Sequence, residues 1–366
     1  CLKLLRVLII DEKSYIGCRM LYEIDYWLPQ IHNCIHLPFG GLSVVLIGDF
    51  KQLAPVKDLP LYSLPNTRMS QFQKIGLNTY RQQFVNVITL EKIHRQNSDP
   101  VFKDVLEHFV TGNFTLEDWN ILSERSLIHL SNKHEFEHNA IYLCAQKKDF
   151  RQFNIRKINS LTAPKLHIKA TNDPPSAHMV DENNAGGLPR TLLIARGMRV
   201  MLTANLNVSL SLTNGAIGTV IAIVFIDEKD DFPEVLVKFD KYTGPSCLPD
   251  IDHVYPVGPI TRTFVIRRET QSRTMLPLLP AYAFSIHKSQ GQTLDKIILN
   301  IGDKEFASGL TYTALSRVRQ LSDLAFSPVP SFDRIAKVKN TSGFKLIQEE
   351  EKRKHNLESF TELPDV

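Results

Sequence analysis

Two carboxylates, Asp11 and Glu12, close the apolar run Leu-Lys-Leu-Leu-Arg-Val-Leu-Ile-Ile near the start of the chain. Such a run suits a strand of a parallel sheet buried on both faces, and parallel sheets bind ligands beyond the carboxyl ends of their strands. One carboxylate placed there can hold Mg2+ through water, while its neighbour orients or deprotonates an attacking water. For the pair taken alone, a solvated loop start is the other open reading. A second apolar run, Leu-Ser-Val-Val-Leu-Ile-Gly-Asp, ends at Asp49, and Gln52 follows in Gly-Asp-Phe-Lys-Gln-Leu-Ala-Pro-Val. A carboxylate and an amide at that point can sense a terminal phosphate, or can simply form a polar turn stopped by Pro55.

Two arginines extend the set. Arg95, in Leu-Glu-Lys-Ile-His-Arg-Gln, precedes a helix start, and Arg317 lies in Thr-Ala-Leu-Ser-Arg-Val-Arg-Gln with Arg319 two residues on, on a different helix face. A guanidinium can grip phosphate oxygens with two parallel donors, which lysine cannot do, but a lone arginine serves equally as a surface or ion-pair residue. The segment His-Lys-Ser-Gln-Gly-Gln-Thr, from His287 to Thr293, gathers imidazole, ammonium, hydroxyl and amide donors around Gly291. It follows the strand-like Ala-Tyr-Ala-Phe-Ser-Ile, and backbone amides with short polar side chains there suit phosphate oxygens of a nucleotide or a nucleic acid.

The elements that must position these residues follow from the hydrophobic pattern. Strand, helix and strand over residues 4–49 make a βαβ unit and a parallel sheet. A helix begins near residue 100, with Asp99 as its cap, Pro100 in its first turn and Gly112 ending it. Phe102, Val105, Leu106, Phe109 and Val110 form its apolar stripe. Thr115 with Asp118 forms a capping arrangement for a helix bearing Trp119 and Leu122. Ala-Ile-Tyr-Leu-Cys-Ala at 140–145 opens a second α/β domain. From about 190 to 270 the runs become short and β-rich, with turn residues such as Asn214-Gly215, which suits a small inserted β-barrel. The α/β texture then returns, with a helix carrying Thr-Tyr-Thr-Ala-Leu-Ser-Arg-Val-Arg. The charged tail around Glu-Glu-Glu-Lys-Arg-Lys-His is expected to be a frayed helix or disordered.

Composition sets limits. The 366 residues carry 43 basic and 39 acidic side chains, a net charge of +4, so nucleic-acid binding is permitted but rests on where the charge sits. The five cysteines are scattered without a Cys-x-x-Cys pair, against both a zinc site and a disulfide scaffold. No apolar run approaches the roughly 20 residues of a membrane span, and no signal peptide opens the chain. A protein that is not secreted is expected: nuclear or mitochondrial if eukaryotic, otherwise cytoplasmic. A chain opening on Cys1 with a strand-like run at once is expected to be a truncation.

Taken in order, Ile-Ile-Asp-Glu-Lys-Ser, the Gly-Asp-Phe-Lys-Gln-Leu-Ala-Pro-Val segment, Leu-Glu-Lys-Ile-His-Arg-Gln, Leu-Thr-Asn-Gly-Ala-Ile-Gly-Thr-Val, the His287–Thr293 loop and Leu-Thr-Tyr-Thr-Ala-Leu-Ser-Arg-Val-Arg resemble the Pif/RecD-like family of superfamily 1 DNA helicases. The resemblance covers residues 4 to about 330, and six short motifs in one order make coincidence a poor explanation. It implies an α/β fold of two RecA-like parallel-sheet domains. The first is incomplete and covers 1–97. The second covers 98–189 and 274–345, with a Src-homology-3-like barrel inserted at 190–273 and a charged tail at 346–366.

By position, the resemblance implies ATP and Mg2+ as cofactors. Asp11 would hold the metal through water, Glu12 would activate the hydrolytic water, and Gln52, with Asp49, would couple the terminal phosphate to domain movement. Arg95 and Arg317 would be arginine fingers, each typically worth about 10³–10⁵-fold in rate. Ser285, His287, Lys288 and Thr293 would contact the DNA backbone, with Gln290 and Gly291 linking that loop to the nucleotide. The implied partners are single-stranded DNA and DNA forks, with RNA as a second possibility and no membrane. The implied activity is 5′-to-3′ translocation with duplex unwinding, in pathways such as repair, recombination or telomere maintenance.

Two departures from the family pattern stand out. Ala54 replaces a proline in Gln-Leu-Ala-Pro-Val, and no Gly-Lys dipeptide occurs anywhere, so the phosphate-binding loop Gly-x-x-x-x-Gly-Lys-Ser/Thr is not among these residues. The 366 residues alone are therefore expected to be inactive as an ATPase. A non-enzymatic DNA-binding remnant of a mobile element is the alternative.

Overall fold

The computed structural model describes residues 2–90, 92–227 and 230–357. They form two compact units, Cys1–Ala145 with Ser285–Val366, and Gln146–Phe284.

The first unit opens with β1 (Val7–Ile10), α1 (Cys18–His32) and β2 (Ser43–Leu46), the expected βαβ unit, with β1 and β2 parallel and Ile10 opposite Leu46. After α2 (Gln71–Gln83), three further helices follow: α3 (Pro100–Thr111), α4 (Leu116–Ser123) and α5 (Lys133–Asn139). They lead to β3 (Ile141–Cys144).

The second unit begins with α6 (Lys147–Asn159), β4 (Lys165–Lys169), β5 (Thr171–Asp173), β6 (Thr191–Ala195), β7 (Arg199–Leu202) and β8 (Ile217–Val224). It continues through β9 (Glu234–Phe239), β10 (Val254–Val257), β11 (Ile260–Ile266), β12 (Glu269–Met275) and β13 (Leu278–Pro280). The chain returns to the first unit along β14 (Ala283–Ser285). There α7 (Ile286–Ser289), β15 (Ile297–Asn300), α8 (Leu310–Leu315), β16 (Leu324–Phe326), α9 (Phe332–Ala336) and α10 (Ser342–His355) complete it.

Inside the first unit, β15 lies between β3 and β16 and is parallel to both, forming a parallel sheet separate from β1 and β2. Among the described residues the strands of the second unit pair antiparallel: five strands in the order β10-β9-β8-β7-β13, a three-stranded sheet β11-β12-β5 and the pair β4-β6.

The helix signals act as local chemistry predicts. Asp99 accepts from the Phe102 amide and Gly112 ends α3 at φ 82°, while Phe102, Val105, Leu106 and Phe109 are buried. Each such side chain contributes about 1.5–3 kcal/mol on burial, which outweighs modest helix propensity. Thr115 and Asp118 form the reciprocal cap of α4. The close packing of α1 on α2 depends on Gly76, where an added Cβ would lie 1.8 Å from the Cys18 carbonyl oxygen.

Three expectations need correction. The β1 strand is not buried on both faces: it and β2 alternate, and Val7 and Ile9 are 49% and 63% exposed. Leu8, Ile10, Val44 and Leu46 face the core built on Leu21, Phe50, Leu77 and Tyr80, and no described strand or helix covers the other face. The α8 helix stops at Leu315, so Arg317 lies in the turn beyond it and the helix-face argument for Arg319 does not hold. The charged tail is an ordered helix to His355, because Thr341 caps it and Ile347 and Glu350 are buried. Its last residues, 358–366, lie outside the described residues.

Candidate functional site

The acidic turn comes first, because its backbone fixes everything that follows. Asp11 directly follows β1 and is exposed, its Oδ1 accepting from the Glu12 amide at 2.7 Å. Glu12 adopts a left-handed backbone, φ 54° and ψ 49°, which costs a non-glycine residue about 1 kcal/mol or more. The strained turn aims the Glu12 side chain across to α7 and the loop after it. Gln290 Nε2 donates to Glu12 Oε2 at 2.7 Å and to Ser14 Oγ at 3.0 Å. Tyr15 donates from its hydroxyl to the His287 carbonyl oxygen at 3.0 Å. Gly291 lies at φ 75°, where an added Cβ would sit 3.2 Å from Glu12 Oε1.

The Asp49–Gln52 turn leaves β2 in the same region of the unit. Lys13 donates its amide to the Ile47 carbonyl at 2.8 Å, joining the two strand ends. Asp49 Oδ1 accepts from the Lys51 amide at 2.9 Å, which closes the turn. The Leu53 amide donates to Thr313 Oγ1 at 3.1 Å and that of Ala54 to the Ser308 carbonyl at 3.3 Å, tying the turn to α8 and the residues before it. Gly309, φ 79°, allows this approach: an added Cβ would fall 2.2 Å from the Gln52 carbonyl oxygen.

The two arginines behave differently. Arg95 is partly exposed and donates from Nη1 to the Ser316 carbonyl at 2.8 Å. Arg317 is 1% exposed. Its Nε donates to Thr313 O at 2.7 Å, Nη1 to Ser289 O and Gln292 O at 3.2 Å each, and Nη2 to Ser316 Oγ at 2.8 Å. In this arrangement Arg317 fastens the His287–Thr293 loop to α8. Burial, then the charge of Arg95, lowers the Arg317 pKa to about 10, with Glu12 opposing. Burial likewise lowers that of Arg95, opposed by Tyr312 and Glu12. Burial and then Glu12 raise the Tyr15 phenol to about 12, and burial followed by Asp49 raises that of Tyr312. Burial and then Lys354 depress Lys13 to about 8, against the pull of Asp49.

The remaining candidates fall on one stretch. Ser285 ends β14, His287 and Lys288 lie in the single turn of α7, and Thr293 follows the loop; all four are partly buried. The His287 ring stacks on Phe306 with centroids 6.4 Å apart. The structure thus brings Glu12, Gln290 and Gly291 into contact, and places Arg95, Arg317 and Tyr312 near them. Ser14, Tyr15, Tyr312 and Lys13 are site neighbours that the sequence reading passed over. Ser14 and Tyr15 continue the acidic turn, but nothing local announces contacts across more than 200 positions.

Two acceptors and an exposed carboxylate bear on what the site can take. Gln52 Oε1 and Gln290 Oε1 are buried without a hydrogen-bond partner, the mark of a place where a further polar group is accepted. Among the described residues no three His, Cys, Asp or Glu side chains gather to hold a metal by themselves. Mg2+ commonly uses one or two carboxylates, substrate phosphate oxygens and water, a role open to exposed Asp11.

Parallel strands with acidic carboxyl ends facing an amide-rich loop define an α/β protein of the RecA-like class. A model of the PIF1-like helicase family matches residues 1–117. The chain is 27% identical over 344 residues to the ATP-dependent DNA helicase PIF6 of Trypanosoma brucei brucei, covering 89% of this chain and 42% of that protein. It is 29% identical over 343 residues to human ATP-dependent DNA helicase PIF1, covering 90% of this chain and 46% of that protein. The crystal structure of Pif1 helicase from Bacteroides in complex with ADP-AlF3 and single-stranded DNA superposes with a TM-score of 0.70 at 25% identity, covering 97% of this chain and 77% of that one. These matches support kinship with the PIF1-like helicases, and the chain spans slightly less than half the length of these two curated relatives.

Proposed function

We propose that these residues are a fragment, without the phosphate-binding loop, of an ATP-dependent DNA helicase motor that moves 5′ to 3′ on single-stranded DNA and separates the duplex at a fork. The observation that carries this reading is the Gln290–Glu12 hydrogen bond of 2.7 Å, because it joins the candidate hydrolytic carboxylate to the candidate strand-binding loop. The similarity to helicases named as ATP-dependent, and to one solved with ADP-AlF3 and single-stranded DNA, supports the same reading.

Asp11 would hold Mg2+ through water, and the ion would supply neutralisation of charge on the phosphates. Glu12 accepts a proton from the attacking water once Gln290 has released its carboxylate, and Gln52 donates from its side-chain amide nitrogen to a terminal phosphate oxygen while its acyl oxygen accepts from the attacking water. Arg95 supplies a guanidinium beside Glu12, and Arg317 keeps the loop in register. Ser285, His287, Lys288 and Thr293 meet the strand's phosphates. Repair, recombination or telomere maintenance, in a nucleus or mitochondrion, is the setting that fits this activity.

The test pairs two measurements. Fluorescence anisotropy of the 366-residue chain should show salt-sensitive binding of a single-stranded oligonucleotide in preference to the matched duplex and RNA. A chain extended through a phosphate-binding loop should hydrolyse ATP with Mg2+, faster with DNA, and displace a strand with 5′-to-3′ polarity. The 366 residues alone should not hydrolyse it. DNA-independent ATPase or absence of strand binding would overturn the reading, and hydrolysis by the 366 residues alone would remove the need for that loop.

A further inference from the structure

On the surface of the first unit, α5 has the sequence Lys-His-Glu-Phe-Glu-His-Asn and carries a pair of side chains that the proposed mechanism does not use. His134 and His138 are four residues apart, so they share one face of the helix. Both are exposed, and their rings stack with centroids 4.0 Å apart at 29°.

The tautomer of one ring follows from its partner. His138 Nδ1 lies 2.8 Å from the His134 carbonyl oxygen, and a carbonyl only accepts, so Nδ1 carries the hydrogen. The neutral ring then keeps its lone pair on Nε2. A backbone carbonyl holding the second nitrogen is how metal-bound histidines are commonly oriented.

The helix is held so that this face stays outward. Phe136, between the two histidines in sequence, is fully buried, with Arg125 and Lys296 at 5.9 and 5.4 Å from its ring centroid. The flanking carboxylates have other partners: Glu135 pairs with Lys296 at 3.3 Å, and Glu137 with Lys133 at 3.6 Å.

We infer that His134 and His138 form a two-imidazole site for a borderline divalent transition ion. Among the described residues no third His, Cys, Asp or Glu joins them, so water or an outside ligand fills the other positions. Imidazole favours Cu2+, Ni2+ and Zn2+ over the oxygen-seeking Mg2+ and Ca2+, and the affinity order places Cu2+ first. The site therefore discriminates against the ion proposed for ATP hydrolysis.

The test uses the whole 366-residue chain, titrated with Cu2+ and with Zn2+ by calorimetry, and Cu2+ electron paramagnetic resonance to count coordinated nitrogens. One ion per chain should bind at this site with a two-nitrogen signature, unaffected by excess Mg2+. His134→Asn and His138→Asn should each weaken it by about tenfold or more, whereas His129→Asn should not. Both positions are exposed, so the variants should keep the wild-type circular dichroism. Affinity unchanged in both variants, or a signature that persists in the double variant, would overturn the assignment.

Discussion

Gln290 donates its side-chain amide to the carboxylate of Glu12 at 2.7 Å, across 278 positions of sequence. The same nitrogen reaches Ser14 Oγ, and the absent side chain of Gly291 leaves room for the other carboxylate oxygen. Glu12 is therefore held by the loop that follows α7, in a turn whose left-handed backbone would otherwise be costly. A group held in this way separates the chemistry of the carboxylate from its place in the fold.

That separation gives the first prediction. In Glu12→Gln the new side chain keeps an oxygen that accepts from Gln290, so the loop should stay in place. In a chain extended through a phosphate-binding loop, ATP turnover should fall by at least about 10³-fold, within the range one catalytic group commonly supplies. Single-stranded DNA affinity should change by less than a factor of about three. Comparable loss of both in anisotropy and steady-state hydrolysis would show that Glu12 acts structurally.

Gly309 gives a prediction about the turn that carries Gln52. Alanine there meets two separate obstacles, a φ of 79° and a Cβ placed 2.2 Å from the Gln52 carbonyl oxygen. The first costs about 1 kcal/mol, and the second forces the Lys51–Gln52 backbone to move. Gly309→Ala should lower unfolding stability by roughly 2–4 kcal/mol in urea. A change below about 1 kcal/mol would mean that the turn shifts freely.

Lys13 gives a pH dependence whose sign can be worked out. Burial and Lys354 lower its pKa from 10.5 to about 8. The folded chain therefore binds fewer protons than the unfolded one between those values, so stability rises with pH across that interval. The penalty is fully present below about 8. Lys13→Met should remove it, stabilising the chain at pH 7 by on the order of 1–2 kcal/mol, and flatten the melting profile between pH 8 and 9.5. An unchanged slope would assign the dependence to other groups.

Much of this arrangement was legible in the sequence, and the boundary of legibility is physical. The cap of α3 and the reciprocal cap of α4 are interactions over three residues, so Asp99, Thr115 and Asp118 announce them locally. The strands leading to Asp11 and Asp49 follow from apolar runs, although only alternate side chains of β1 and β2 face the core. The end of α8 was not legible, because Arg317 leaves the helix to satisfy the carbonyls of Ser289 and Gln292, which lie 28 and 25 positions away. The order of the tail helix is hidden from the sequence for a related reason. A run of charges predicts a solvated segment, yet Glu350 accepts from Tyr80 at 2.6 Å and pairs with Arg353, so its charge is met inside the fold.

Arg317 supplies the last prediction. Its guanidinium is buried and divides its hydrogen bonds among three carbonyl oxygens and one hydroxyl, without a carboxylate partner among the described residues. A lysine at this position keeps the charge, but one compact ammonium cannot span acceptors on α8 and on both sides of Gly291. Arg317→Lys should therefore behave as loss of the fastening rather than as a conservative change, costing about 2–4 kcal/mol of stability. Amide exchange should accelerate most in residues 287–293, because these lose the donors that hold the loop. Single-stranded DNA affinity should fall with it, since the candidate strand contacts His287, Lys288 and Thr293 lie on that loop. If exchange in 287–293 is unchanged while hydrolysis in the extended chain is lost, Arg317 acts on the phosphate directly and the fastening is incidental.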